Sequence, residues 1–362
     1  MLLIDKTIGK IGDLNRRAVE ALGLELDLID ASGCVLTPGL IDPHEHIAGG
    51  SGEEGFATQT PEIHAGEIIS AGITTVVGCL GVDTTTKTMP GLLARARALK
   101  EEGLSAFIWT GGYNVPPVTL TDSVRNDIML VEEVIGAGEI AISDERSTNP
   151  DAHELARLVN DAYVGGMLSR KAGVTHFHVG NNESRLQLLR TLIDEYQTPP
   201  GWLYPTHVER SEALMLEAID LCRRGSFVDV DTVEEDLHRW LRFYRDNGGE
   251  PGRLTVSSDA SISSPRTLYE QVRACTLEHG FLLEDVLPLV TVNAAGALKL
   301  EDRGELAEGK RADLLILHKD SLEIRWVIAG GRVMVRDGVL VHGEKFLEGS
   351  SRKVRLEGTK AR

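Results

Sequence analysis

Residues 37–50 read TPGLIDPHEHIAGG, an apolar run that ends in two histidines one residue apart, His44 and His46. As one strand over 35–46 it places alternate side chains on one face, so both imidazoles point the same way. Two neutral imidazoles at one strand end make half of a divalent-metal site. Glu45, between them, faces the other way and is expected to be structural.

Outward from this run the pattern repeats. Apolar, β-branched segments recur at ITTVVGCL (73–80), SAFIWTG (105–111), IAISD (140–144), VTHFHVG (174–180), GWLYPTH (201–207), SFVDVD (226–231) and RLTVSSD (253–259). Between them lie helical patterns that end in Gly, such as MPGLLARARALKEEG (89–103) and SEALMLEAIDLCRRG (211–225). Eight strand-plus-helix units predict a (β/α)8 TIM-like barrel of about 250 residues. An open doubly wound sheet is the rival, but no Gly-x-Gly-x-x-Gly turn follows the first strand. Residues 1–35 and 304–346 are short alternating runs with turn signals such as AGGRV and RDGVL. They predict antiparallel strands from both termini, forming one small flanking β-sandwich domain beside a barrel over 36–303. Residues 347–362 read as a polar tail.

Composition limits the function. The chain has 362 residues, 42% of them hydrophobic, enough for a large core. Its net charge of −17 disfavours nucleic acid and anionic membranes, whose phosphates need a basic patch. No run of apolar residues is long enough for a membrane span, and the N-terminus lacks an apolar signal core. Cys34, Cys79, Cys222 and Cys275 are scattered, which reads as reduced thiols of a cytoplasmic protein.

Barrel enzymes carry their chemistry at the C-terminal strand ends. Those ends hold His44 and His46 on strand 1, Asp144 on strand 4 with Glu139 nearby, His178 on strand 5, His207 on strand 6 and Asp259 on strand 8. Four imidazoles with two or three carboxylates suit one or two transition-metal ions, Zn²⁺ first among them. His176 shares a face with His178 but lies one step deeper and is expected in the core. His64, His153, His238, His279, His318 and His342 lie off the strand ends and read as surface or packing residues.

The segments GLIDPHEHIAGGSGE, AGITTVVGCLG, WTGGYNVP, AISDERS, VTHFHVG, PTHVER and VSSDASIS resemble, in order, the isoaspartyl (β-aspartyl) dipeptidase branch of the amidohydrolase superfamily. The resemblance spans about 35–345, and GELAEGKRADLLIL (304–317) is similar to the superfamily's flanking β-domain. It implies that His44, His46, His178 and His207 are metal ligands. Asp259 would bind metal and act as general base, and Tyr113 would polarise the scissile carbonyl. Glu53 would hold the substrate ammonium, Arg146 and Arg210 its carboxylates, and Ser263 would touch substrate. The resemblance also implies a homo-oligomer. Bottom-up chemistry agrees: an isoaspartyl dipeptide carries one ammonium and two carboxylates, and arginine offers a planar fork for carboxylates.

The pattern departs from the family at two places. A carboxylated lysine normally bridges two metals from strand 4; here Glu139 stands in GAGEIAISDER (136–146), with an extra residue just before it. Glutamate presents its carboxylate roughly 3–4 Å nearer the backbone. The expectation is that Glu139 bridges two Zn²⁺ ions directly, with a mononuclear or inactive site as the alternatives. Val82 replaces a threonine that contacts substrate in the family, and the loop after Asp259 reads as shortened.

A bound cation lowers the pKa of water from 15.7 to about 7. The expected reaction is attack of hydroxide on the β-aspartyl amide, with Asp259 passing the proton to the departing amine. Two other readings remain: an amidohydrolase of N-acyl amino acids or cyclic amides, and a catalytically weak metal-binding homologue.

Overall fold

The structure, a computed structural model, describes residues 1–21, 23 and 26–352. It opens with a hairpin, β1 (Leu2–Ile4) and β2 (Thr7–Lys10), followed by β3 (Cys34–Pro38). Eight parallel strands come next: β4 (Leu40–Glu45), β5 (Ile73–Gly78), β6 (Ser105–Thr110), β7 (Val134–Ile142), β8 (Thr175–Val179), β9 (Leu203–Thr206), β10 (Val228–Asp231) and β11 (Leu254–Ser257). The chain ends in β12 (Leu314–His318), β13 (Ile324–Ala329), β14 (Arg332–Arg336) and β15 (Val339–Leu340).

Strands β4 to β9 form a continuous parallel ladder and β10 pairs β11. The ring closes where β11 meets β4: the Asp259 amide donates to the His44 carbonyl at 3.1 Å, and the His46 amide to the Ala260 carbonyl at 2.9 Å. Side chains tie β9 to β10, with the Thr206 hydroxyl donating to Asp229 Oδ2 at 2.8 Å. This is the TIM-like barrel that the sequence predicts. Its strands are buried throughout because helices cover their outer faces, which is why they read as unbroken apolar runs.

The two glycine-terminated helical patterns fold as expected. Helix Met89–Glu102 starts at Thr88, whose hydroxyl caps the Gly91 amide, and stops at Gly103 with φ 108°. Helix Glu212–Arg224 starts at Ser211 and stops at Gly225 with φ 114°.

The termini supply a five-stranded antiparallel sheet in the order β15-β14-β13-β12-β3. Its residues alternate as a half-covered sheet requires. Leu315, Leu317 and Val327 join the barrel-side core, whereas Leu314, Ile316, Trp326 and Ile328 form a second apolar layer. Leu3 of the hairpin packs against that layer, so the partner of the expected sandwich is a two-stranded ribbon rather than a full sheet.

Residues 35–46 are not one strand. They divide at Gly39 into β3, paired with β12 in the flanking sheet, and β4, paired with β5 in the barrel. The Gly39 position also needs a small residue: a Cβ there would lie 2.3 Å from Thr74 Oγ1. The tail reading, 347–362, begins inside a short helix, Lys345–Glu348; from residue 353 onward it lies outside the described residues. All four cysteines are free, and three of them are buried. Among the described residues no helix is long and apolar enough to cross a membrane.

Candidate metal centre and cleft

At the C-terminal rim, Glu139 sits between two histidine pairs. Its Oε2 faces His44 Nε2 at 3.3 Å and His46 Nε2 at 4.0 Å. Its Oε1 faces His178 Nδ1 at 2.7 Å and His207 Nε2 at 3.3 Å. Asp259 Oδ1 completes the first pair, 3.3 Å from His44 Nε2 and 3.2 Å from His46 Nε2. The six residues that the sequence singles out as ligand candidates thus meet at one point, although they come from five different strand ends.

Local backbone geometry aims them. The β7–β8 register slips by one residue between Ala137 and Ile140, a bulge that accommodates the extra residue before Glu139 and re-aims its side chain. Gly138 makes this close approach possible: a Cβ there would lie 2.7 Å from the His176 Cβ. His207 and Asp259 both adopt left-handed backbone, at φ 62° and 46°, just past the ends of their strands. Such conformations cost about 1–3 kcal/mol each and cluster at functional sites.

The donor set fits divalent cations. Both nitrogens of His44 and Oε2 of Glu139 are buried with no hydrogen-bond partner. Native interiors leave few such atoms unless something else completes them. Burial pushes the Glu139 carboxyl up, but the imidazoles of His44 and His178 outweigh it and hold it well below the ordinary range. A carboxylate fixed as an anion among four imidazoles is a cation cradle.

His176 lies one layer down, as expected. Its Nδ1 is 3.0 Å from the Tyr204 carbonyl oxygen, and its ring stacks on Trp109. Burial, helped by the His44 charge, keeps it well below the ordinary imidazole range. Glu45 is fully buried and neither carboxylate oxygen has a partner; burial and the neighbouring Asp42 push it up. Of the remaining histidines, His238 and His279 stack on each other, and His342 lies 2.9 Å from Glu102.

Sequence reasoning missed the groups behind the ligands. Asp231 Oδ2 is 2.6 Å from His207 Nδ1 and orients that ring. Burial opposes protonation of His207, but Asp231 and Glu139 outweigh it and push it up to about 9. Beside Asp231 lies half-buried Glu209, itself pushed up by desolvation and by the Asp231 charge. The signal was present: Asp229 and Asp231 form a D-x-D at the end of strand 7, with the same period as the H-x-H. Asp144 plays the matching part for His178, at 3.1 Å from Nε2.

A cleft of about 590 Å³ opens onto this centre. Its lining includes Glu53, Val82, Tyr113, Arg146, Arg210 and Asp259. The Tyr113 hydroxyl lies 2.8 Å from His178 Nδ1. Burial and the Glu139 charge push it well above the ordinary phenol range, so it stays an O–H donor. Arg146 grips Asp144 through two bonds of 2.8 Å and reaches Glu53 Oε1 at 2.5 Å. Arg210 Nε is buried without a partner. The Ser263 hydroxyl, in the loop after Asp259, is buried and unpartnered.

Comparison with known proteins agrees with the geometry. Models of the amidohydrolase family match residues 35–199 and 253–342. A crystal structure of β-aspartyl dipeptidase from Fervidobacterium islandicum AW-1 is 40% identical, covers 93% of this chain and 92% of its own, and superposes with a TM-score of 0.89. A second structure of that dipeptidase, in complex with β-Asp-Leu, is 38% identical over 92% of this chain and 91% of its own, with a TM-score of 0.88. Adenine deaminase 2 from Rhizobium etli is 26% identical over 86% of this chain. That match covers only 50% of the deaminase, so the chain spans about half the length of the curated relatives it matches first.

Proposed function

The chain belongs to the amidohydrolase family, and on that premise we propose that it is a metal-dependent hydrolase of the β-aspartyl amide bond in isoaspartyl dipeptides. The observation that carries this reading is one cleft holding Glu53, Arg146 and Arg210 beside the four-imidazole, two-carboxylate centre. That charge pattern complements a substrate with one ammonium and two carboxylates.

His44, His46 and Asp259 would hold one Zn²⁺, His178 and His207 a second, with one Glu139 oxygen turned to each. When bound, the cations supply Lewis acidity that activates water at neutral pH and polarises the scissile carbonyl. The chain's own residues do the rest. Asp259, at the rim, accepts the proton of the attacking water and delivers it to the departing amine. Tyr113 donates its hydroxyl to the carbonyl oxygen as negative charge develops there. Arg146 and Arg210 anchor the substrate carboxylates and fix the amide over the centre. Glu53 takes the ammonium after exchanging its contact with Arg146. Val82 leaves the adjoining wall apolar, which narrows the polar contacts to these groups.

The existing Glu53–Arg146 pair favours a second reading, in which the substrate offers no ammonium, as N-acyl amino acids do. Steady-state assays of β-Asp-Leu and an N-acyl amino acid separate the two. The first reading expects a dominant kcat/KM on the dipeptide, lost mainly through KM in Glu53→Gln. Turnover of the acylated compound alone would replace it with the second.

A further inference from the structure

The residue after β5, Cys79, has been assigned no role, yet it stands at the metal centre. Its amide donates to the Glu45 carbonyl at 3.1 Å, which ties it to the H-x-H turn of the neighbouring strand. Its sulfur lies 3.6 Å from His46 Nδ1 and 3.9 Å from Nε2. One ligand atom each from His44, His46, Cys79 and Glu139 all lie within 4.8 Å of one another. Cys79 is 1% exposed, so its sulfur is sheltered from bulk water. Space is also kept for His46 to turn here: Gly81, two residues on, would bring a Cβ within 2.6 Å of the His46 ring. Both His44 nitrogens and Glu139 Oε2 are buried and unpartnered, and they share this pocket with the sulfur.

A cysteine alone would be a packing residue. A cysteine grouped with two imidazoles and an unpartnered carboxylate oxygen is a tetrahedral donor set for Zn²⁺. We propose that Cys79 is a thiolate ligand of the ion held by His44, His46 and Glu139, giving that ion a protein-filled coordination shell. The S–H proton leaves as the metal–sulfur bond forms. The centre is then asymmetric. The ion on the strand 1 and 2 side has its shell filled by protein, Cys79 joining His44, His46, Glu139 and Asp259. The ion on the strand 5 and 6 side has His178, His207 and the other Glu139 oxygen, three protein ligands with a position left for water.

This inference rests on the reading that the centre binds divalent cations, and the test keeps the two apart. The full chain is loaded with Co²⁺ and its electronic spectrum recorded beside that of Cys79→Ser. X-ray absorption at the zinc edge is collected on the Zn²⁺ form of the unsubstituted protein. The proposal expects a near-ultraviolet thiolate-to-cobalt charge-transfer band that is lost in Cys79→Ser, and a zinc–sulfur shell at about 2.3 Å. Bound metal with only nitrogen and oxygen scatterers at about 2.0–2.2 Å, and no charge-transfer band, would overturn the thiolate ligand while leaving the cation site intact. Failure to bind either metal would instead remove the reading beneath it. The zinc-edge measurement needs no variant, so a poorly folding Cys79→Ser leaves the test decisive.

Discussion

Asp229 and Glu139 are both buried carboxylates of the same barrel, and they have opposite surroundings. Asp229 is saturated: Oδ1 accepts from Thr255 Oγ1 at 2.5 Å and Tyr204 Oη at 3.3 Å, and Oδ2 from Ser257 Oγ at 2.6 Å and Thr206 Oγ1 at 2.8 Å. Glu139 faces four imidazoles, and its Oε2 has no hydrogen bond at all. Neutral hydroxyls complete the first group within the protein. Glu139 Oε2 and both His44 nitrogens find no such completion among the described residues. The contrast separates a polar network that holds strands β9, β10 and β11 together from one built to receive a ligand.

Substitutions on the two sides should therefore act on different quantities. On the receiving side, Tyr113→Phe is expected to lower kcat on β-Asp-Leu by roughly 10²–10³, the loss of one oxyanion donor, with melting temperature unchanged. Full kcat in that variant would remove Tyr113 from the chemistry. Asp231→Asn, which disturbs only the orientation of His207, should cost about 10–100-fold in metal affinity or activity; titration with a competing chelator reads it. On the saturated side, Asp229→Asn should destabilise the fold by roughly 1–3 kcal/mol in denaturant unfolding, because donors matched to a carboxylate lose their acceptor. Its metal content should stay unchanged, and a loss of metal there would erase the contrast. The smallest effect belongs to a pair away from the centre, where buried Glu133 meets the partly exposed Lys100 at 3.1 Å. Burial pushes Glu133 up, but its hydrogen bonds, to the backbone and to Lys100, hold it below the ordinary range. Its folded-state pKa is the depressed one, so its contribution, under about 1 kcal/mol, is full above the unfolded carboxylate range and fades as pH falls below it. Urea melts of Glu133→Gln and the parent should converge at acidic pH.

Most of the barrel is legible in the sequence for a physical reason. Parallel strands covered on both faces are continuous apolar runs, and two of the helices between them, Met89–Glu102 and Glu212–Arg224, end where glycine takes left-handed backbone. Two boundaries escape this logic. The β3–β4 division at Gly39 separates two sheets without any change in composition, since each strand is apolar. The start of β7 at Val134 is hidden because Gly136 and Gly138 interrupt the apolar run; both are required by close neighbours, Trp109 at one and His176 at the other. His44 and His46 were legible from their period of two, and His178, His207 and Asp259 from their places at or near strand ends, whereas Glu139, inside its strand, was reached only through the family resemblance. Asp231 and Cys79 were not assigned, because what defines them is a neighbour 24 or 33 residues away in the chain, visible only once the barrel closes.

The central claim is that one glutamate carboxylate stands between two cations. Elemental analysis of the purified chain and of Glu139→Gln, both dialysed against metal-free buffer, tests it directly. The account predicts close to two equivalents of divalent metal in the parent and one or fewer in the variant. One equivalent in both would contradict the bridge, and none in either, with no uptake on adding zinc or cobalt, would contradict the centre itself.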